Sequence, residues 1–262
     1  MRRQKSDYVI QTVTNALRLL EEFRYAEQLG VTALARRLGL HKNNVFRLLA
    51  TLEEMGFVEQ VADNESYRLG TACLELGQAF ARTRTLTRLG RSALEALARD
   101  TQETTHLAVL DGFEVVHLDG EPARQQVVSR VRLGERLPAH ASALGKAILA
   151  CGDPAEWERV DRDWIHGSEL AALTDATITD RDKFFEHLRS SAGLGYALDL
   201  EESAVGMCCA AAPVRDSSGN VVAALSVSAP AFRARPEVLH ERLVPAVTAA
   251  AHDLSRRLGA AA

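Results

Sequence analysis

Apolar side chains recur every three or four residues through most of the first fifty positions, which is the spacing of one face of a helix. They form three runs: Val13, Ala16, Leu17, Leu20 and Phe23; Val31, Leu34, Ala35 and Leu38; and Val45, Leu48, Leu49 and Leu52. We predict three short amphipathic helices, with Thr32 as a candidate cap for the second. Gly39 is free to take the positive φ that ends that helix. Two short helices joined by a turn of about three residues form a helix-turn-helix unit.

The third predicted helix carries a polar face whose chemistry suits DNA. Asn side chains make paired hydrogen bonds with adenine, whereas Arg and Lys bind guanine or phosphate. Small residues such as Ala50 and Thr51 permit a close approach to the floor of a groove. The candidate DNA-binding residues are Lys42, Asn43, Asn44, Phe46, Arg47 and Thr51, together with Arg68 from the segment that follows. The alternative is a small helical domain whose polar face is merely solvated.

A hairpin is predicted directly after the three helices. Residues 57–61 and 66–69 are β-like, and the turn-forming residues 62–65 separate them. Three helices followed by a hairpin form a winged helix-turn-helix, which we assign to residues 1–70.

The two parts of the chain differ in charge. Residues 1–90 hold 13 Lys and Arg against 10 Asp and Glu, whereas residues 91–262 hold 18 against 25. A basic amino-terminal part on an acidic body favours a polyanionic partner for the first part only. The bland alternative is chance unevenness on two solvated surfaces.

Composition predicts a globular protein, because 47% of the residues are hydrophobic and 25% are charged. No apolar run approaches the roughly 20 residues that span a bilayer, and residues 1–7 lack the apolar stretch of a signal peptide. The four cysteines, which are Cys73, Cys151, Cys208 and Cys209, show no CxxC spacing. Such cysteine usage agrees with a reducing compartment. We therefore expect a cytoplasmic protein with no membrane partner.

Beyond residue 100 the pattern changes to strand-like runs with intervening helices. We predict strands at 106–110, 114–119, 127–131, 208–214 and 221–228, and helices at 142–151, 154–160, 181–192 and 237–258. Hairpins without regular βαβ alternation indicate an α+β domain with a mainly antiparallel sheet flanked by helices. We assign 89–262 to this domain and 71–88 to a stiff linker helix. The linker either transmits a change of orientation or is an ordinary structural helix.

Several segments resemble the isocitrate-lyase-regulator (IclR) family of bacterial transcription factors. In the amino-terminal part these are residues 15–20, 39–52 and 67–70, and beyond it 134–150, 195–202 with Gly206 and 209–214, and 220–228. Their order along almost the whole chain makes the resemblance specific. Family members often carry Pro-Lys-Ser-Thr where this chain has His41-Lys42-Asn43-Asn44, so the DNA sequence that the family reads is not carried over.

The resemblance implies a ligand-responsive transcriptional regulator whose GAF-like effector domain binds a small organic acid and needs no cofactor. Because dimers read two half-sites, we expect a homodimer or homotetramer on an inverted-repeat operator in double-stranded DNA. The positions that match the family's effector pocket are Leu137, Ala143, Leu144, Asp199, Met207, Cys209, Ser226 and Ser228.

Two features of this predicted pocket concern charge. The amides of Ala143 and Leu144 begin a helix, where N–H groups favour a carboxylate, although small residues there also allow the helix to pack closely on the sheet. Asp199 would repel a carboxylate, and we expect it to accept a hydrogen bond from a donor at the ligand's far end. Lys146 lies one turn into the helix and is equally compatible with the surface, so we leave it unassigned.

Strand register decides whether the pocket residues share a face. If residues 216–219 form a four-residue loop, Arg215 lies opposite Asn220 and Cys209 lies opposite Ser226, on one face. A loop one residue longer or shorter would separate them. Alternatively, the two serines face solvent from a half-exposed sheet.

An enzyme is the rival class. His106, His117, His140, His166 and the Cys208–Cys209 pair supply the ligand types of a metal site or a Cys-His nucleophile. None has HxxxH, HExxH or CxxC spacing, and GxSxG is absent. We therefore expect no catalytic and no metal-binding residues, and we keep a cytoplasmic metal-dependent hydrolase with a DNA-binding module as the alternative.

Overall fold

The computed structural model describes residues 8–62, 65–83, 85–125, 129–165 and 170–261. The chain forms two compact units, residues 1–83 and 84–262. Asp63, Asn64, Val127, Val128 and His166, which the sequence analysis used, lie outside the described residues.

The first unit contains a short helical core and a small sheet. Its elements are α1 (Gln11–Glu22), β1 (Leu29–Gly30), α2 (Val31–Leu38), α3 (Lys42–Glu54), β2 (Val58–Gln60), β3 (Ser66–Leu69) and α4 (Thr71–Thr83). The sheet is antiparallel in the order β1-β3-β2. Leu19, Leu34, Val45 and Leu49 are fully buried between the helices. The predicted winged helix-turn-helix is confirmed.

The start of α2 differs from the prediction. Thr32 does not cap this helix, because the helix begins at Val31 and Gly30 occupies the cap position. The reason is β1, a two-residue strand that the sequence analysis missed, which pairs with β3 and ends immediately before the helix. Gly39 does end α2 in the left-handed region, at φ 66°.

The second unit is a six-stranded sheet with helices on both faces. Its helices are α5 (Thr85–Thr101), α6 (Ala143–Cys151), α7 (Pro154–Val160), α8 (Arg181–Leu194), α9 (Pro236–Val238) and α10 (Val244–Arg257). Its strands are β4 (Thr104–Asp111), β5 (Glu114–Glu121), β6 (Arg136–Pro138), β7 (Ala197–Leu200), β8 (Met207–Arg215) and β9 (Val221–Pro230). The predicted α+β class is confirmed.

All neighbouring strands of this sheet are antiparallel, in the order β6-β5-β4-β9-β8-β7. Helices α5 and α10 cover one face, where Leu94, Leu225 and Leu254 are fully buried. Helix α6 covers the other face, where Ala147 packs with Ala108 and Ala224. The vicinal Cys208 and Cys209 lie on opposite faces, as strand alternation predicts.

The register of the β8–β9 hairpin differs from the prediction, yet the side chains of Cys209, Ser226 and Ser228 still lie on one face of the sheet. Arg215 pairs with Val221 rather than with Asn220, so the loop is one residue longer than expected. A bulge between Val214 and Arg215 shifts the register once more. Cys209 therefore pairs with Ser228 rather than with Ser226. Two single-residue shifts restore the parity, since side chains alternate with a period of two.

The strand predicted at 127–131 is wrong for residues 129–131, which form no strand. This segment is held from the side: Thr104 Oγ1 donates to the Ser129 carbonyl at 2.7 Å, and the Arg130 carbonyl contacts the His106 ring at 3.3 Å. A side chain therefore takes the carbonyl of Ser129 that a sheet ladder would have used.

Gly145 allows α6 to approach the preceding turn. A Cβ atom there would lie 2.4 Å from the Cα and the carbonyl oxygen of Ala139. We expect Gly145→Ala to lower the free energy of unfolding by about 1–3 kcal/mol, because backbone must move. Gly193→Ala is the matched control: it lies in α8 with nothing within 4 Å and should stabilise by about 0.5–1 kcal/mol. Urea unfolding of both variants measures the difference, and equal shifts would contradict the close approach.

Candidate functional site

The first candidate site is the exposed face of α3. All seven predicted DNA-binding side chains are exposed, and Phe46 keeps 57% of its surface accessible. Val45, Leu49 and Leu52 are buried on the opposite side. The buried residues therefore orient α3 with its polar face toward solvent, as its apolar spacing predicts.

Two details of this face were not predicted. His41 caps α3, because its Nδ1 accepts the Asn43 N–H at 3.3 Å. Thr12 and Asn15 of α1 line a concavity together with Asn44, Arg47 and Thr51. Sequence spacing gave no sign of this, because only the packing of α1 against α3 joins the two helices into one surface.

The predicted wing residue Arg68 lies on β3 and is already engaged. Its Nε donates to Glu59 Oε1 at 2.5 Å across the β2–β3 pair. Both side chains are about half exposed, and exposed pairs of this kind contribute little stability. The guanidinium can therefore exchange this partner for a phosphate at small cost.

The second candidate site is a cavity between the sheet of the second unit and the start of α6. Seven of the eight predicted pocket residues line it: Leu137, Ala143, Leu144, Asp199, Met207, Cys209 and Ser226. The eighth, Ser228, lies opposite Cys209 in the β8–β9 ladder. Its Oγ accepts a hydrogen bond from the Cys209 thiol, with Sγ and Oγ 3.1 Å apart. The remaining lining residues were not predicted: His106, His117, Ser129, Arg132, Ser142 and Ser203.

The start of α6 supplies backbone donors to this cavity. Ser142 caps the helix, since its Oγ accepts the Gly145 N–H at 3.0 Å and its carbonyl accepts the Lys146 N–H. The N–H groups of Ala143 and Leu144 have no hydrogen-bond partner among the described residues. Two free amides at a helix start favour an anion.

A third donor faces these amides from the sheet. Ser226 is 1% exposed, and its hydroxyl has no hydrogen-bond partner among the described residues. An unpaired buried hydroxyl is unfavourable, and here it lines the cavity. The amides and the hydroxyl therefore form a set of unused donors around one space.

Asp199 is largely occupied by its own turn. Its Oδ1 accepts the N–H groups of Glu202 and Ser203, at 2.7 and 3.2 Å, and its Oδ2 accepts the Ser203 hydroxyl at 2.5 Å. Burial raises the pKa of this carboxyl, while the hydrogen bonds from Ser203 oppose the rise. Since a carboxylate offers about four acceptor positions, one remains for a ligand.

His106 and His117 line the same cavity from β4 and β5. Their rings meet edge to face with centroids 5.3 Å apart, and both residues are almost fully buried. Burial lowers the pKa of His106 to about 3 and also lowers the pKa of His117. Both rings are therefore neutral at pH 7. Neither residue was predicted to line the pocket, because only the pairing of β4 with β9 sets His106 opposite Ser226.

Lys146, left unassigned from sequence, is fully buried rather than on the surface. Its Nζ donates to Glu202 Oε1 at 2.5 Å. Glu202 N–H in turn donates to Asp199 Oδ1, so the ion pair braces the turn that holds Asp199. The partner lies 56 residues away, which no local pattern can reveal.

The cavity is small in this structure, at about 30 Å³. That volume holds about two or three waters, whereas ligand pockets measure roughly 300–1,000 Å³. An organic acid therefore requires the cavity to enlarge.

Within the described ranges, no helix combines the length and apolar composition that a membrane crossing requires. The described residues also contain no group of three or more His, Cys, Asp or Glu side chains placed to share a metal ion.

A winged helix-turn-helix combined with an α+β domain that encloses a polar cavity defines a ligand-responsive transcriptional regulator. Residues 12–62 match the family model "IclR helix-turn-helix domain", and residues 78–256 match "Bacterial transcriptional regulator IclR C-terminal". The chain belongs to the IclR family of bacterial transcriptional regulators.

Relatives and solved structures agree with this assignment. The chain is 34% identical to the HTH-type transcriptional regulator XynR of Escherichia coli, over 84% of this chain and 86% of that protein. It is 32% identical to the p-hydroxybenzoate hydroxylase transcriptional activator of Acinetobacter baylyi, over 95% and 91%. An IclR homolog from Microbacterium hydrocarbonoxydans, crystallised with 4-hydroxybenzoate, superposes with a TM-score of 0.79 at 26% identity, over 94% of this chain and 98% of that one.

Proposed function

We propose that this regulator controls a catabolic operon in response to a small carboxylic acid that binds in the cavity of the second unit. The observation that carries the proposal is the set of unused donors: the Ala143 and Leu144 amides and the Ser226 hydroxyl. A carboxylate satisfies all three and gains from the helix dipole. The homolog solved with 4-hydroxybenzoate supports an acid of this kind.

The DNA half of the proposal places α3 in a major groove. Asn44 and Arg47 are the residues we assign to base edges, and Lys42, Asn43, Thr51 and Arg68 to the backbone or the wing contact, because all are exposed on the basic part of the chain. Phe46 is assigned to the same surface.

We also propose that the regulator acts as a homodimer or a dimer of dimers on an inverted repeat. Large apolar side chains remain exposed on α1 and α4 of the first unit, namely Val13, Leu17, Leu74 and Leu76. Each of the four keeps more than half of its surface accessible, and exposed apolar surface of this kind marks a protein contact. Residues 71–88 would then act as the linker between a DNA-binding part at 1–70 and an effector part at 89–262.

The rival function, a cytoplasmic metal-dependent hydrolase, requires a bound metal ion. We propose instead that the chain is a cytoplasmic regulator without catalytic activity, in line with its relatives. Metal analysis of the purified protein distinguishes the two, because one zinc per chain would favour the hydrolase.

Removing the unpaired Ser226 hydroxyl should weaken binding of the effector. We expect Ser226→Ala to lower the affinity for an acid such as 4-hydroxybenzoate by roughly 10-fold to 150-fold, since one hydrogen bond to a charged group is lost. Ser191→Ala is the matched control, because Ser191 is also buried but lies on α8 outside the cavity. Calorimetry with and without operator DNA measures both effects. Equal affinity in the three proteins would place the site elsewhere, and affinity indifferent to operator would remove the regulatory role.

A further inference from the structure

The two buried histidines of the cavity have fixed tautomers. His106 Nε2 lies 3.3 Å from the Arg130 carbonyl, and His117 Nδ1 lies 3.1 Å from the Glu135 carbonyl. A carbonyl only accepts, so each of these nitrogens carries the proton of a neutral ring. His106 Nδ1 and His117 Nε2 are therefore acceptors, and no described residue donates to either of them.

Burial keeps both rings neutral although charged groups lie around them. Arg132 disfavours protonation of both rings, whereas Glu135 favours protonation of His117. Asp199 lines the far part of the cavity and is held by its own turn. Burial raises the pKa of the Cys209 thiol, which stays protonated. The cavity wall thus carries unused donors from the start of α6 and from Ser226, and two neutral acceptors from the histidines.

We propose that His106 and His117 determine effector specificity by accepting a hydrogen bond from a hydroxyl group of the ligand, so that the regulator responds to hydroxylated carboxylic acids. This inference rests on the proposed function, because it needs the carboxylate at the α6 amides. A ligand without the hydroxyl covers these two acceptors of the cavity wall and leaves them unpaired, which is unfavourable. A second carboxylate at the histidines meets two lone pairs, and it binds only if a ring takes up a proton.

Two matched sets of three acids test the hydroxyl directly. 3-Hydroxypropionate, propionate and malonate differ at one end of a three-carbon acid, and 4-hydroxybenzoate, benzoate and terephthalate differ in the same way on a ring. For at least one set we expect the wild type to bind the hydroxy acid about 10-fold to 100-fold more tightly than the acid that lacks it. Calorimetry at pH 7 in phosphate and in Tris counts protons. The hydroxy acid should bind with no net uptake, whereas a dicarboxylate should take up about one proton.

The variants take the acceptor atom away from its ring position and keep the structural bonds, since the amide oxygen that Gln or Asn brings lies at a different position. Gln at position 106 retains an amide N–H near Nε2, and Asn at position 117 retains one near Nδ1. His106→Gln and His117→Asn should therefore fold normally, which thermal unfolding and unchanged operator binding without acid will check. His240→Gln is the control, because His240 is exposed outside the cavity. We expect the preference for the hydroxy acid to fall to within about threefold in the two variants and to remain in the control.

The outcomes separate this inference from the proposed function. If Ser226→Ala weakens binding of an acid while His106→Gln and His117→Asn keep the full preference for the hydroxyl, the histidine assignment is wrong and the effector site stands. Uptake of a proton with the hydroxy acid would also overturn the histidine assignment. If none of the six acids binds to the wild type, the proposed effector site and the histidine assignment both fail.

Discussion

Lys146→Met should lower the free energy of unfolding by about 3–5 kcal/mol, the largest effect expected for any single substitution discussed for this protein. The ammonium of Lys146 is fully buried, and it is the partner that offsets the burial of the Glu202 carboxylate. The second carboxylate oxygen, Oε2, has no hydrogen-bond partner among the described residues. Without Lys146, an uncompensated charge stays in the core. Denaturant unfolding measures the loss.

Two further measurements identify the cause of that loss. The double variant Lys146→Met with Glu202→Met should recover most of the stability, because well-packed apolar residues replace buried ion pairs at little cost. In Lys146→Met alone, the Glu202 pKa should rise further above its unfolded value, so stability should fall as the pH rises from 5 to 8. Lys183→Met, at an exposed position of α8, should change stability by less than about 0.5 kcal/mol. A double variant no more stable than the single one would refute the ion-pair explanation.

Arg47→Ala should weaken operator binding by about 1–3 kcal/mol, roughly fivefold to 150-fold, if Arg47 reads a base edge. The helix that carries it is fixed by buried Val45, Leu49 and Leu52, so the substitution leaves the fold intact. Binding to operator should fall more than binding to unrelated DNA. If Arg47 contacts only phosphate, both should fall together and the salt dependence should become shallower.

Arg256→Ala is the charge-matched control for this experiment. Arg256 is an exposed arginine of the second unit, paired with Asp253 at 2.7 Å, and its removal changes the net charge by the same amount. Fluorescence anisotropy at two salt concentrations measures all variants. Operator affinity unchanged by both Arg47→Ala and Asn44→Ala would exclude α3 as the recognition helix.

The sequence determined the fold class because its evidence is local. The helical spacing of apolar residues from Val13 to Leu52 determines which face of α3 is buried. Strand alternation puts Cys208 and Cys209 on opposite faces of the sheet. Hydrophobic period alone encodes both features. The resemblance of segments beyond residue 133 to a known family added the pocket positions, and seven of those eight line one cavity.

Local sequence patterns did not predict how strands distant along the chain pair with one another. The Cys209 register was wrong by two residues, and the face survived because a longer loop and a bulge each added one. The strand predicted near Val131 is absent where it is described, because the Thr104 hydroxyl donates to the Ser129 carbonyl. Each error arose where a distant or side-chain contact competes with the backbone ladder.

The sequence by itself therefore determined the DNA-binding architecture, the α+β class and the start of α6, all of which depend on neighbours a few residues apart. Only the tertiary structure decided which polar groups share the cavity: His106 faces Ser226 through strand pairing, and Lys146 meets Glu202 across 56 residues. The physical reason is that the charge state of a buried group depends on its whole surroundings. Those surroundings exist only once distant segments have packed together.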